Sequence, residues 1–197
     1  VGGCRYRDGM PRVVYNTATT LNGYIADEEN SLSWLFVVPS ADQAESAFST
    51  FLAGVGALVM GSTTYEWLLD HENLIDHPEK WFYPDIVSFV LSSRSLPQIA
   101  GADIRLRRGD VGALWAEVSQ AAGSADIWIV GGGDLVGQFA DAGHLDEIRV
   151  SVAPVTLASG KPLLPRRIES DRMTLEAVAQ TGQFAELVYS VRGGSVG

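Results

Sequence analysis

Residues 127–135 read Ile127-Trp128-Ile129-Val130-Gly131-Gly132-Gly133-Asp134-Leu135. Four apolar residues, three of them β-branched, describe a strand buried on both faces. Three glycines then lead into a helical pattern that runs from Asp134 to Ala142 and stops at Gly143. A buried strand feeding a helix through a tight turn is the start of a parallel crossover unit. Glycines there admit the close approach of a ligand, and the helix start offers free N–H groups to a phosphate. The same pattern also serves a plain tight turn. It is not G-x-G-x-x-G, and no acidic residue ends a following strand at the expected distance, so a Rossmann dinucleotide fingerprint is not supported.

The pattern repeats outward in both directions. Arg12 to Thr19 is rich in strand formers. Ser40 with Gln43 forms a capping box ahead of a helix whose apolar stripe is Ala44, Ala47, Phe48, Phe51 and Leu52. Ala57 to Met60 is too short for a helix and reads as an interior strand. Thr63 with Glu66 predicts a second capping box for a helix through Leu69. Ile86 to Leu91 and Asp103 to Arg107 are strands, and Asp110 caps a helix ended by Gly123. Downstream, Leu145 to Val152 is a strand, and Thr181-Gly182-Gln183 joins Arg172–Gln180 to Phe184–Arg192 as a closing hairpin. Alternating strands and helices imply an α/β domain with a largely parallel sheet, to which the hairpin adds antiparallel strands.

The whole chain has 197 residues, 46% hydrophobic and 19% charged, enough to bury one sizeable core. Val1 to Gly9 is Gly-rich and aperiodic, so it reads as a disordered or vector-derived extension, with 10–197 as a single domain. No apolar stretch approaches the ~20 residues of a membrane span. Cys4 is alone, which excludes an internal disulfide framework and fits a reducing, cytoplasmic location. The net charge is −10. Binding to nucleic acid or to an anionic membrane depends on basic residues, so neither is expected as a partner. Between Val13 and Glu79 there is no Lys or Arg. A phosphorylated ligand must there be met by backbone N–H groups, or by arginines from later in the chain. His71 and His77 lack a third metal ligand at suitable spacing, so no metal site is expected.

Two more strand-to-helix junctions resemble the first in kind. Met60-Gly61-Ser62-Thr63-Thr64-Tyr65 sets hydroxyls and amides at a helix start, and Leu91-Ser92-Ser93-Arg94 adds a guanidinium to two hydroxyls past a buried strand. Arg binds a phosphate monoester through a fork of donors. Ligands of parallel sheets bind beyond the carboxyl ends of the strands, where all three junctions would lie. The combination predicts a nucleotide with a pyrophosphate and an extra phosphate.

Ala18-Thr19-Thr20-Leu21-Asn22-Gly23-Tyr24-Ile25-Ala26 resembles the A-x-S-L-D-G-x-I-A signature of the dihydrofolate-reductase-like superfamily, and most nearly its riboflavin-biosynthesis reductase domain. The likeness continues through the two junctions just quoted, Val130-Gly131-Gly132-Gly133, Leu145-Asp146-Glu147-Ile148 and Ala153-Pro154-Val155. It implies a dihydrofolate-reductase-like fold, a homodimer, and an NADPH-dependent reductase delivering hydride to a C=N or C=O of a small pterin- or pyrimidine-like heterocycle. By the resemblance, Ala18 and Ile25 meet the nicotinamide, Gly61, Ser62, Thr63 and Thr64 the pyrophosphate, and Ser92, Ser93 and Arg94 the 2′-phosphate. Leu91, Val130, Gly131, Gly132, Gly133, Asp134 and Leu135 line the remainder. Asp42 or Glu45 corresponds to a helix carboxylate that protonates and orients substrate, and Trp34 to a tryptophan beside it. A cis peptide between Gly131 and Gly132 is also implied. The chain departs from the pattern at Asn16, Asn22 and Gly131, where the riboflavin reductases carry Lys, Asp and Glu, and it lacks their sugar-phosphate arginines. Their phosphorylated substrate is therefore not expected. A non-catalytic nucleotide-binding or regulatory protein with the same cleft is the alternative.

Overall fold

The computed structural model describes residues 10–39 and 45–193, with the side chains of Glu45, Ser46 and Ala47 left aside. The extension 1–9, the Ser40–Gln43 capping box and Asp42 lie outside the described residues. Strand β1 (Val13–Thr20) runs through the middle of the sheet, and β2 (Tyr24–Ala26) follows a tight turn. Helices α1 (Ser33–Phe36) and α2 (Glu45–Leu52) lead into β3 (Val55–Gly61) and α3 (Ser62–Glu72). Next come β4 (Val87–Leu91), β5 (Ile104–Arg107), α4 (Val111–Ala122), β6 (Asp126–Gly131) and α5 (Gly133–Asp141). The chain closes with β7 (Glu147–Ala153), β8 (Lys161–Pro162), β9 (Met173–Thr181) and β10 (Phe184–Val191).

The described residues form an eight-stranded sheet in the order β5-β4-β3-β6-β1-β7-β10-β9, while β2 and β8 make a separate two-stranded ribbon. All pairings from β5 to β7 are parallel, and β10 joins β7 and β9 antiparallel. This is the expected mixed sheet with its closing hairpin. Parallel strands need both faces covered. On one face Val13, Tyr15, Val59, Ile127 and Ile129 pack against Val111, Leu114 and Val118 of α4 and Val136 and Phe139 of α5. On the other, Val14, Leu58, Met60 and Trp128 meet Phe51 of α2, Tyr65, Leu68 and Leu69 of α3, and Leu74, Trp81 and Tyr83 beyond it.

Local signals set the helix ends. The Asp110 carboxylate accepts the Ala113 N–H at 2.9 Å at the start of α4, and Gly123 stops it with φ of 62°. The capping box at Thr63 does not form. α3 starts two residues earlier with Gly61 as its N-cap, and no side chain caps it. Glu66 is drawn away by Arg94, whose guanidinium donates to both its carboxylate oxygens at 2.8 and 2.6 Å. A bidentate charge-assisted pair outcompetes one backbone N–H. The expected cis peptide is also absent: every peptide among the described residues is trans. The turn is instead made by Gly132, which takes φ of 91°, open to glycine without a Cβ clash.

Candidate functional site

Three strand ends lie level at the carboxyl edge of the sheet. Gly61 pairs in register with Leu91, and Met60 with Gly131. Neighbouring strands are about 4.8 Å apart, so the turns after β3, β4 and β6 leave the sheet side by side. Gly131 brings two of them together. A Cβ built there would lie 3.0 Å from Thr64 Oγ1, so the missing side chain lets the end of β6 approach the first turn of α3. A Cβ built on Gly61 would meet only open space. The first turn of α3 has neither a side-chain cap nor an acidic residue. Its N–H groups and positive dipole end are therefore left uncapped beside the half-buried Ser62 and Thr64 and the exposed Thr63. Tyr65 anchors this turn by donating its hydroxyl to the Pro97 carbonyl at 2.8 Å.

The turn after β4 is held locally. Ser92 N–H donates to the Arg107 carbonyl at 3.0 Å, and Ser92 Oγ both accepts from Arg94 N–H and donates to the Arg94 carbonyl, each at 3.0 Å. Ser93 is exposed. Arg94 reaches across to Glu66 on α3, and this hydrogen bond raises the guanidinium pKa further.

The turn after β6 packs on the protein's own backbone and side chains. A Cβ on Gly133 would lie 2.4 and 2.6 Å from the carbonyl oxygens of Pro162 and Leu163, so this glycine accommodates the segment around β8. Asp134 accepts from Gln138 Nε2 at 3.0 Å and Arg166 Nη2 at 2.9 Å, which hold its carboxyl below the usual carboxylate range. Leu135 is in the core, and half-buried Val130 packs against the α3 side.

Beyond β1 the chain makes a second wall. Ala18 packs against a cluster of Trp34, Val38, Ala153 and Phe184, and Ile25 is half-buried nearby in β2. Trp34 is 6% exposed, and its indole N–H has no hydrogen-bond partner among the described residues. Buried donors are normally paired, so this one is a group to which a ligand acceptor could bind. Asn22 has a structural duty: its amide donates to the Leu157 carbonyl at 2.7 Å and accepts the Leu157 N–H at 3.2 Å. Glu45 opens α2, close in sequence to Phe48 and Phe51, which pack on Trp128.

One group of residues escaped the sequence reading. Register places Asn16 opposite Arg149, Ala18 opposite Ser151, and Ser151 opposite Glu186, all on one face. Ser151 Oγ donates to Glu186 at 2.6 Å, and Arg149 pairs with buried Glu147 while its guanidinium lies 5.4 Å from the Phe51 ring centre. This half-buried polar row continues the Ala18 surface. The polar positions of β7 alternate, a period-two signal of a wet face that could have found it. Elsewhere, His71 is stacked between Phe36 and Trp67, and His77 meets Glu79 at 3.2 Å. Among the described residues no group of three or more His, Cys, Asp or Glu is placed to hold a metal, and no helix is long and apolar enough to cross a membrane.

Comparison with known proteins agrees with this architecture. The family model for the RibD C-terminal domain matches residues 11–184. Uncharacterized protein YwjB of Bacillus subtilis is 28% identical over 178 residues, covering 90% of this chain and 97% of that protein. A crystal structure from Shewanella sp. PV-4, provisionally assigned to riboflavin biosynthesis, superposes with a TM-score of 0.73 at 25% identity, covering 93% of this chain and 99% of that one. Dihydrofolate reductase from Enterococcus faecalis, complexed with NADP(H), shares the fold with a TM-score of 0.62 at 15% identity, over 93% of this chain and 97% of that one.

Proposed function

We propose, from the premise that this chain belongs to the RibD C-terminal domain family, that it is an NADPH-dependent reductase acting on a C=N or C=O carbon of a small pterin- or pyrimidine-like heterocycle. The reductase-type fold is the family's; the cofactor, the substrate and the residue roles are our reading. The observation that carries it is the level rim, where Gly61, Leu91 and Gly131 end three adjacent parallel strands.

In this reading the uncapped first turn of α3, with Gly61 and the Ser62, Thr63 and Thr64 hydroxyls, holds the pyrophosphate by N–H and O–H donation. Arg94, with Ser92 and Ser93, holds the 2′-phosphate. Leu91, Val130, Gly131, Gly132, Gly133, Asp134 and Leu135 form or support the opposite wall, and Ala18 and Ile25 shape the nicotinamide end. When bound, the nicotinamide supplies the hydride. The chain itself aligns the reacting faces and keeps water out. Asp42 or Glu45 holds the proton for the reduced atom, and the unpaired indole N–H of Trp34 orients a substrate acceptor. The proposal includes a cytoplasmic homodimer with a small-molecule substrate and neither nucleic acid nor membrane as partner.

A second reading, a nucleotide-binding or regulatory protein without turnover, draws on Asn22, whose amide is already used on Leu157. One experiment separates the two. NADPH and NADH are titrated onto the protein, and a panel of oxidised pterins and pyrimidines is then followed by NADPH absorbance. Tighter binding of NADPH with substrate-dependent oxidation supports the reductase. Tight binding without oxidation supports the second reading, and no binding of either nucleotide rejects both.

A further inference from the structure

Arg94 is the cation on which the proposed phosphate site depends, and it already has a partner. Its two terminal nitrogens donate to the two carboxylate oxygens of Glu66 in a fork-to-fork pair at 2.8 and 2.6 Å. That is the donor edge a phosphate monoester would use. In the nearby turn the Ser92 hydroxyl is engaged with the Arg94 backbone, which leaves the exposed Ser93 hydroxyl as the other side-chain donor. On the adjoining strand, Arg105 and Arg107 are engaged by Asp103 and Glu117. Glu66 sits on α3, the helix whose first turn would hold the pyrophosphate. The pair remains open to water, with side-chain exposures of 58% for Arg94 and 36% for Glu66, so an incoming anion can reach it.

We propose that Glu66 is a specificity-determining residue of this site: its carboxylate occupies the guanidinium edge that a ribose 2′-phosphate needs, and so weakens selection of the phosphorylated cofactor. The phosphate must displace Glu66 or share Arg94 with it, and sharing leaves two anions side by side. An unphosphorylated ribose meets neither obstacle. This inference rests on the cofactor reading above, and its test separates the two.

Adenosine 2′,5′-bisphosphate and adenosine 5′-monophosphate are titrated calorimetrically onto the full chain as wild type, Glu66→Gln, Arg94→Ala and the double variant, with folding checked by circular dichroism. Glu66→Gln keeps the shape and removes the charge. It should tighten the bisphosphate by up to about fivefold, the upper worth of an exposed ion pair. The monophosphate should change by less than about twofold, as expected of a ligand that does not touch the pair. The gain should vanish in the double variant. If Glu66→Gln leaves the bisphosphate unchanged or weakens it while Arg94→Ala still weakens it, Glu66 only positions Arg94: the inference falls and the cofactor reading stands. A loss confined to the monophosphate would mean that Glu66 reads the ribose hydroxyl, which also overturns the inference. If wild type binds neither nucleotide, the cofactor reading fails and takes the inference with it.

Discussion

Two glycines at the rim should answer differently to one added methyl group. At Gly133 it would press on the Pro162 and Leu163 carbonyls at 2.4 and 2.6 Å, backbone atoms that cannot swing aside. Gly133→Ala should cost about 1–3 kcal/mol, the usual range for overpacking. Gly61→Ala meets open space and should change stability by less than about 1 kcal/mol. Urea unfolding of the two variants checks the contrast. Arg94 carries the functional prediction at this scale. Arg94→Ala should weaken NADPH about tenfold or more, since a bidentate guanidinium–phosphate contact is lost, and leave NADH nearly unchanged. Equal weakening of both in fluorescence titrations would remove the 2′-phosphate role.

At the scale of elements, helix α4 depends on a single capping contact. Asp110→Ala should destabilise the protein by about 1 kcal/mol, and Asp110→Asn should restore most of it in thermal melts. This helix was legible in the sequence because its signals are local: Asp110 and Gly123 bracket an apolar stripe that needs no distant partner. The capping box at Thr63 misled because the atom that claims Glu66 belongs to Arg94, 28 residues later. Helix propensity cannot register such a competitor. The ribbon of β2 and β8 was invisible for a similar reason. Tyr24 pairs with Pro162 in strands of three and two residues, too short to show a period. The candidate site was legible where chemistry gathers in contiguous turns, at Gly61–Thr64, Leu91–Arg94 and Val130–Leu135. It was not legible along Asn16, Arg149, Ser151 and Glu186, which only the register of three strands brings together.

Over the whole molecule, stability should fall in alkali. Burial pushes the phenols of Tyr65 and Tyr83 up to about 12 from an ordinary 10.0. Below about pH 10 both folded and unfolded chains keep these protons, and stability is unaffected. Between 10 and 12 the unfolded chain releases them first and binds fewer protons than the native state, so stability declines as pH rises. Tyr83→Phe keeps the ring and removes one of these protons. Its urea midpoint should fall less steeply than wild type over that window; an identical slope would exclude Tyr83 as a contributor. NADPH at about a hundred times its Kd should stabilise the fold by about 2.7 kcal/mol. That is a rise in Tm of about 5–10 °C for a domain of this size, visible by calorimetry and reduced in Arg94→Ala.

The central position of β1 also bears on how the chain is made. Its sheet neighbours are β6 and β7, and Arg12 just before it is paired with Asp126, 114 residues downstream, and with Glu147 beyond that. At ordinary ribosomal speeds, on the order of 10 s separates the synthesis of Val13–Thr20 from the emergence of its first partner. Through that interval a strand that begins Val13-Val14-Tyr15 waits with both hydrogen-bonding edges vacant, the condition in which nascent chains recruit chaperones or one another. The fold is completed from the outside inward, and the earliest-made strand of this sheet is among the last to be enclosed.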